Sequence, residues 1–208
     1  MKKVYLALIG IMVLILGGCS SLPNKVVAVD SYSTHNTFGG TYYLTTNTDN
    51  NGLVLQQENF EQQLQYMLSK KGYIRMFNKQ EAQYVINYNY NVEGPYTSLE
   101  SYQVPANPWW GAGYYGGLYG GYYGTTWVNS VEATTYFVKK LEVSAYTKEN
   151  QPIWQVVGTV KSNNSILRNT FPYLVNGIAP YINKNSNRIL YVNVTENPKN
   201  GTISVTNN

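Results

Sequence analysis

Hydrophobic and polar residues alternate without a break from Tyr84 to Val92. Tyr84, Ile86, Tyr88, Tyr90 and Val92 fall on one side, and Asn87, Asn89 and Asn91 on the other. A period of two with one polar face describes a strand buried on one side only. A different period governs Phe60, Leu64, Met67 and Leu68, which recur at i, i+4, i+7 and i+8 and so share one face of a helix. Lys70 and Lys71 fall in its last turn and Gly72 just after it. Cations there offset the helix dipole, and glycine accepts the left-handed residue that closes many helices.

The rest of the chain divides in the same way. Val26–Val29, Thr41–Thr45 and Tyr73–Phe77 read as short strands, with Asp49-Asn50-Asn51-Gly52 as a turn. Tyr136–Thr147 and Pro152–Val160, joined by Lys148-Glu149-Asn150-Gln151, read as a hairpin. Phe171, Leu174, Val175, Ile178 and Ile182 keep helical spacing behind a Thr170 N-cap and a first-turn Pro172. Ile189–Val194 is a last strand, and residues 197–208 form a polar C-terminal tail. Each helix has one apolar face and each strand at least one. The expected fold is therefore α+β: a single, mostly antiparallel sheet with two helices packed on one face, a two-layer sandwich. A Gly- and aromatic-rich insertion, residues 105–128, separates two of its strands.

The N-terminus follows another rule. Lys2 and Lys3 precede an apolar run from Val4 to Leu16, which is too short for a membrane-spanning helix of about 20 residues. The run ends in Leu16-Gly17-Gly18-Cys19, and these four residues resemble a bacterial lipobox. The resemblance implies a signal peptide over residues 1–18, a diacylglycerol on the Cys19 thiol, cleavage before it, and acylation of the new N-terminus. Ser20 follows where enterobacterial sorting uses Asp to retain lipoproteins, which implies the outer membrane with the domain facing the periplasm. Residues 19–25 are a tether reaching only about 20 Å when extended. The domain they hold runs over residues 26–196.

Composition narrows the partners. Without Lys2 and Lys3 the chain carries 13 basic against 11 acidic residues, so no basic stripe argues for nucleic acid. Charged residues are 12% of the chain, and 21 tyrosines with many Asn, Gln, Ser and Thr supply the polarity instead. Such a surface suits a neutral glycan or a protein partner.

Candidate catalytic chemistry is thin. The one histidine, His35, lies in a Ser/Thr/Asn stretch, and no Gly-x-Ser-x-Gly elbow is present. With one His and one lipidated Cys, a zinc site would need several carboxylates, whereas the acids are spread singly apart from Glu58 and Glu61. No nucleotide-binding glycine loop precedes a helix. We expect no enzyme activity, no metal and no cofactor. The alternative is a cell-wall glycan-binding or glycan-hydrolysing lipoprotein, the hydrolase using two carboxylates brought together by folding.

The insertion is the candidate contact segment. Trp109, Trp110 and Trp127 stand among Tyr114, Tyr115, Tyr119, Tyr122 and Tyr123, with glycines too dense for a helix. The rings could stack on sugar or peptide, settle at a membrane interface, or accompany a strand that completes a partner's sheet. The plain alternative is a low-complexity surface loop.

Two stretches carry a family resemblance: Leu68-Ser69-Lys70-Lys71-Gly72-Tyr73, and Glu81-Ala82-Gln83-Tyr84-Val85-Ile86-Asn87-Tyr88. With Leu141-Glu142-Val143-Ser144-Ala145-Tyr146 and Ile153-Trp154-Gln155-Val156-Val157-Gly158, they resemble DUF4136, a bacterial lipoprotein family of unknown function. Gln83 stands where that family usually has Asp. The resemblance implies an envelope lipoprotein with an α/β sandwich and supplies no catalytic residues. The expected function is that of an outer-membrane-anchored, non-catalytic binding or assembly accessory of an envelope complex.

Overall fold

The computed structural model describes residues 24–34, 39–47, 54–105, 127–197 and 201–207. Its strands are β1 (Asn24–Ser33), β2 (Gly40–Thr46), β3 (Tyr73–Met76), β4 (Tyr84–Pro105), β5 (Trp127–Thr147), β6 (Pro152–Ser162), β7 (Leu190–Glu196) and β8 (Ile203–Asn207). Its helices are α1 (Val54–Ser69) and α2 (Phe171–Ile178). The strands form one 8-stranded sheet in the order β3-β2-β4-β5-β6-β1-β7-β8.

The sheet is mixed, which corrects the mostly antiparallel sheet expected from the sequence. β2 runs parallel to both of its neighbours, β3 and β4. The pairings of β4 with β5, β5 with β6, β6 with β1, β1 with β7 and β7 with β8 are antiparallel. The cause is α1, which carries the chain from the end of β2 back to the sheet end where β2 began. The next strand then starts in the same direction, as in any helical crossover. Alternation tells which side a residue faces and says nothing about direction. A second addition lies within the segment read as a polar tail, where β8 pairs with β7 and sets Ile203 and Val205 against the core.

One face of the sheet carries the core. Val27, Val29, Tyr42, Ile86, Tyr88, Leu141, Val143, Val156, Val192 and Val194 are all buried there. Phe60 of α1 stacks on Phe171 of α2 with ring centroids 3.8 Å apart, and both meet Tyr90 edge-on, so both helices lie against this face. α2 comes especially close. A Cβ on Gly158 would fall 2.6 Å from Ile178, and one on Gly177 2.9 Å from Val27. Gly72, with φ 84°, closes α1 in the left-handed region that glycine tolerates.

Trp154 is buried in the same core, where its indole N–H donates to the Tyr73 hydroxyl at 3.0 Å. That hydrogen bond satisfies the ring's only polar atom and lets the whole indole leave water.

Candidate functional site

β4 and β5 are the longest strands, at 22 and 21 residues, and only half of each belongs to the body of the domain. Their inner parts, Tyr84–Glu93 and Val138–Thr147, pair within the sheet, flanked by β2 and β6. β2 pairs with β4 no further than Tyr88, and β6 with β5 no further than Phe137. Beyond those points the two strands continue alone. Tyr96–Pro105 and Trp127–Tyr136 make ten further residue pairs, a ribbon about 30 Å long. Among the described residues this arm has no neighbouring strand on either edge.

A bulge marks its root. The register shifts between Glu93 and Tyr96, where β4 holds one residue more than β5. Gly94 makes the bend with φ 119°, and a Cβ there would fall 3.1 Å from the Tyr136 carbonyl oxygen. Tyr96 and Tyr136 pair across the root with ring centroids 5.6 Å apart, and the Lys161 ammonium sits 5.0 Å from the Tyr136 ring.

The arm's two faces differ. One carries Thr97, Leu99, Ser101 and Gln103 beside Asn129, Val131, Ala133 and Thr135, with no charge among them. Leu99 and Val131 are 70% and 62% exposed there. The other face sets Glu100 directly opposite Glu132, with Tyr102 next along. Two like charges directly across a strand pair weaken it.

The sequence-predicted contact residues fall in or next to the stretch of chain between β4 and β5. Trp109, Trp110, Tyr114, Tyr115, Tyr119, Tyr122 and Tyr123 lie outside the described residues, as do Cys19 and His35. Trp127 is placed by its backbone, opposite Pro105 at the last pair of the ribbon. The arm itself went unread in the sequence. Its Ser, Thr and Glu alternate without a hydrophobic partner set, so no period-two signal rises above the polar background.

Away from the arm, the buried polar groups differ in how they are satisfied. Glu61, one of the two neighbouring acids on α1, pairs with Arg75 at 2.7 Å and accepts the Tyr88 hydroxyl at 3.2 Å. Burial first, and the Glu61 charge after it, push the Tyr88 phenol above its ordinary range. Tyr42, buried with no hydrogen-bond partner for its hydroxyl, is pushed up to about 12, chiefly by burial. Among the described residues no group of three or more His, Cys, Asp or Glu side chains is placed to hold a metal ion.

Lys139 is the residue that sequence reasoning missed altogether. It is fully buried at the end of the core next to α2. Its amine donates towards Ser162 Oγ (3.3 Å), Asn164 Oδ1 (3.2 Å), the Ile166 carbonyl (2.6 Å) and Thr170 Oγ1 (2.9 Å). Burial, and then the nearby Lys25, hold its pKa below the usual lysine value. Four oxygens compete for three N–H groups, so the side chain ties the 162–170 loop to β5 and has no hydrogen free for chemistry. The open face of the sheet offers a groove of about 590 Å³ bordered by Lys25, Val26, Ala28, Thr159, Lys161 and Tyr191. On the same face, Asn89 accepts the Asn47 backbone N–H, and Asn91 donates to Glu93.

Among solved structures, the chain is similar to a PDZ domain protein from Parabacteroides distasonis at 11% identity and a TM-score of 0.47. That match covers 84% of this chain and 40% of the other. It is also similar to PelC, solved as a dodecamer from Paraburkholderia phytofirmans, at 13% identity and a TM-score of 0.37. Here 76% of this chain and 95% of the other are covered. No curated protein matches the sequence. The helix α1 with the Lys71-Gly72-Tyr73 that follows it, the strand from Tyr84 and the hairpin of β5 and β6 all lie within residues 26–178, which match the family described as a domain of unknown function, DUF4136, and the chain belongs to that family.

Proposed function

We propose that this protein is a non-catalytic lipoprotein, anchored through Cys19 in the outer membrane with its domain in the periplasm. It acts as a binding or assembly accessory, and its contact element is the β4–β5 arm with the aromatic segment at the arm's end. The observation that carries this reading is the arm: ten strand pairs beyond the body of the sheet, largely exposed on both faces over residues 96–103 and 129–135. An isolated two-stranded ribbon is marginal in water. Its length contributes little to the core, so a partner that covers it is the economical reason for it to be there. Glu100 and Glu132 stand side by side on this exposed ribbon and not across a cleft, which weighs against the glycan-hydrolase alternative.

The test uses photo-crosslinking in intact envelopes. A photoreactive residue at Tyr102 or Val131 should capture an envelope component, whether lipid, protein or glycan, while one at Glu149 should not. Replacing residues 109–123 with a Gly/Ser loop should lower that capture and leave the thermal midpoint nearly unchanged. Cys19→Ala should abolish incorporation of a fatty-acid analogue. Equal capture at Val131 and Glu149, or acyl label persisting in the Cys19 variant, would sink the respective half of the proposal.

A further inference from the structure

The arm leaves the sheet at the end where the chain enters it. Ala28 of β1 lies opposite Thr159, and Phe137 of β5 opposite Ser162. Carried along the sheet, this register sets Asn24, the first residue of β1, level with Tyr136 at the root of the arm. From that level the arm runs outward for about 30 Å. Asn24 is only five residues beyond Cys19, and five extended residues reach at most about 18 Å. A domain held by an acylated Cys19 therefore stands with its arm end towards the bilayer, and the arm outreaches its own tether.

The side chains at that end suit a lipid surface. Leu99 and Val131, on the arm's uncharged face, lie on the side of the sheet that carries the helices. Arg168 shares a hollow with Leu55, which is 82% exposed. A cation beside an exposed aliphatic side chain matches the two layers of a membrane interface, anionic headgroups over an apolar boundary. On the arm itself the charges are sorted: Glu100 and Glu132 share one face, and the face of Leu99 and Val131 has none.

We infer that the arm docks on the lipid bilayer, its uncharged face against the membrane and its acidic face towards water. The inference rests on the anchoring at Cys19 proposed above and names the arm's partner as lipid.

The experiment reconstitutes the full-length acylated protein in vesicles of phosphatidylethanolamine and phosphatidylglycerol. Cys19 is the one native cysteine and is blocked by its acyl group, so an introduced cysteine is labelled alone. Ser101→Cys reports the uncharged face, Glu100→Cys the acidic face, and Glu149→Cys the turn at the opposite end of the sheet. Each carries an environment-sensitive fluorophore, quenched either by nitroxide-bearing lipid or by aqueous iodide. The label at 101 should be quenched several-fold more by the lipid quencher than the label at 149, and shielded from iodide, with the label at 100 between them. If 101 is quenched no more than 149 while the mass of the protein shows the acyl groups in place, the arm does not meet lipid and the inference is overturned, though anchoring stands. If that same arm is still captured by protein or glycan in whole envelopes, its partner belongs to that class. A mass without acyl groups, with the protein free of the vesicles, removes the anchoring and takes the inference with it.

Discussion

The two halves of β4 and β5 make the same backbone ladder under opposite conditions. In the inner half, Ile86, Tyr88, Leu141 and Val143 are fully buried between α1, α2 and the flanking strands. In the outer half the pairing continues from Tyr96 to Pro105, yet Leu99 and Val131 face water and no described strand lies along either edge. Hydrogen bonding is common to both, so it cannot be what separates core from arm. What differs is the apolar area that neighbours remove from water, at roughly 25 cal/mol per Å². The ladder sets the shape of the ribbon, and burial decides which part of it holds the domain together.

The strongest way to break this contrast is Trp154→Ala. The indole is 3% exposed and loses both its packing and its hydrogen bond to Tyr73. The variant should lose about 3–5 kcal/mol in urea unfolding, whereas joining Tyr96 to Tyr136 by an Asn-Gly turn, with the arm removed, should shift stability by no more than about 0.5 kcal/mol. A comparable loss from removing the arm would show that the ribbon belongs to the core.

Within one strand the contrast sharpens. Leu141→Ala should cost about 2–5 kcal/mol and Val131→Ala no more than about 0.5 kcal/mol, although both sit in β5 on the helix-facing side of its backbone. Similar midpoints for the two variants would defeat the distinction.

Tyr42→Phe probes the core side by subtraction. Its hydroxyl is buried without a partner, so removing it should raise stability by about 1 kcal/mol. The same variant should blunt alkaline unfolding. The Tyr42 phenol rises from an ordinary 10.0 to about 12 on folding, so its titration takes nothing from stability below pH 10 and lowers it as pH climbs towards 12. An unchanged alkaline limb in Tyr42→Phe would show that other buried phenols, Tyr88 among them, dominate it.

The smallest effect belongs to the arm. Glu132→Lys puts opposite charges across from Glu100 and should steady the ribbon by about 0.2–1 kcal/mol. Slower amide exchange at residues 98–102, with no change in the global midpoint, is the expected reading. A shift of the global midpoint instead would couple the arm to the body.

How much of this was legible depended on where the partners of each residue lie. α1 could be read because Phe60, Leu64, Met67 and Leu68 declare their common face within nine residues. The β2–β3 pairing could not, because direction is set by where a helix returns the chain and not by the strand's own pattern. Lys139 was opaque for a related reason: its acceptors, Ser162 to Thr170, come 23 to 31 residues later. Local sequence around it, Val138-Lys139-Lys140-Leu141, looks like any wet strand. β8 escaped because Ile203 and Val205 are two apolar residues in an otherwise polar stretch. For the proposed contact segment, composition pointed to the aromatics, and the ribbon of β4 and β5 on either side of it in the chain emerged only from pairing.

The extra residue at Gly94-Pro95 has a consequence for how this family can vary. In β4, even-numbered residues up to Val92 share the side that faces the helices, and beyond the bulge odd-numbered ones take it over. The bulge is thus a phase shifter. Losing or gaining one residue there would exchange the places of Leu99 and Glu100 without altering either, inverting the polarity of β4's contribution to the arm in a single step. Substitutions along the arm could reach the same inversion only one side chain at a time. A relative that differs in length at this point would wear the opposite surface on an otherwise unchanged fold.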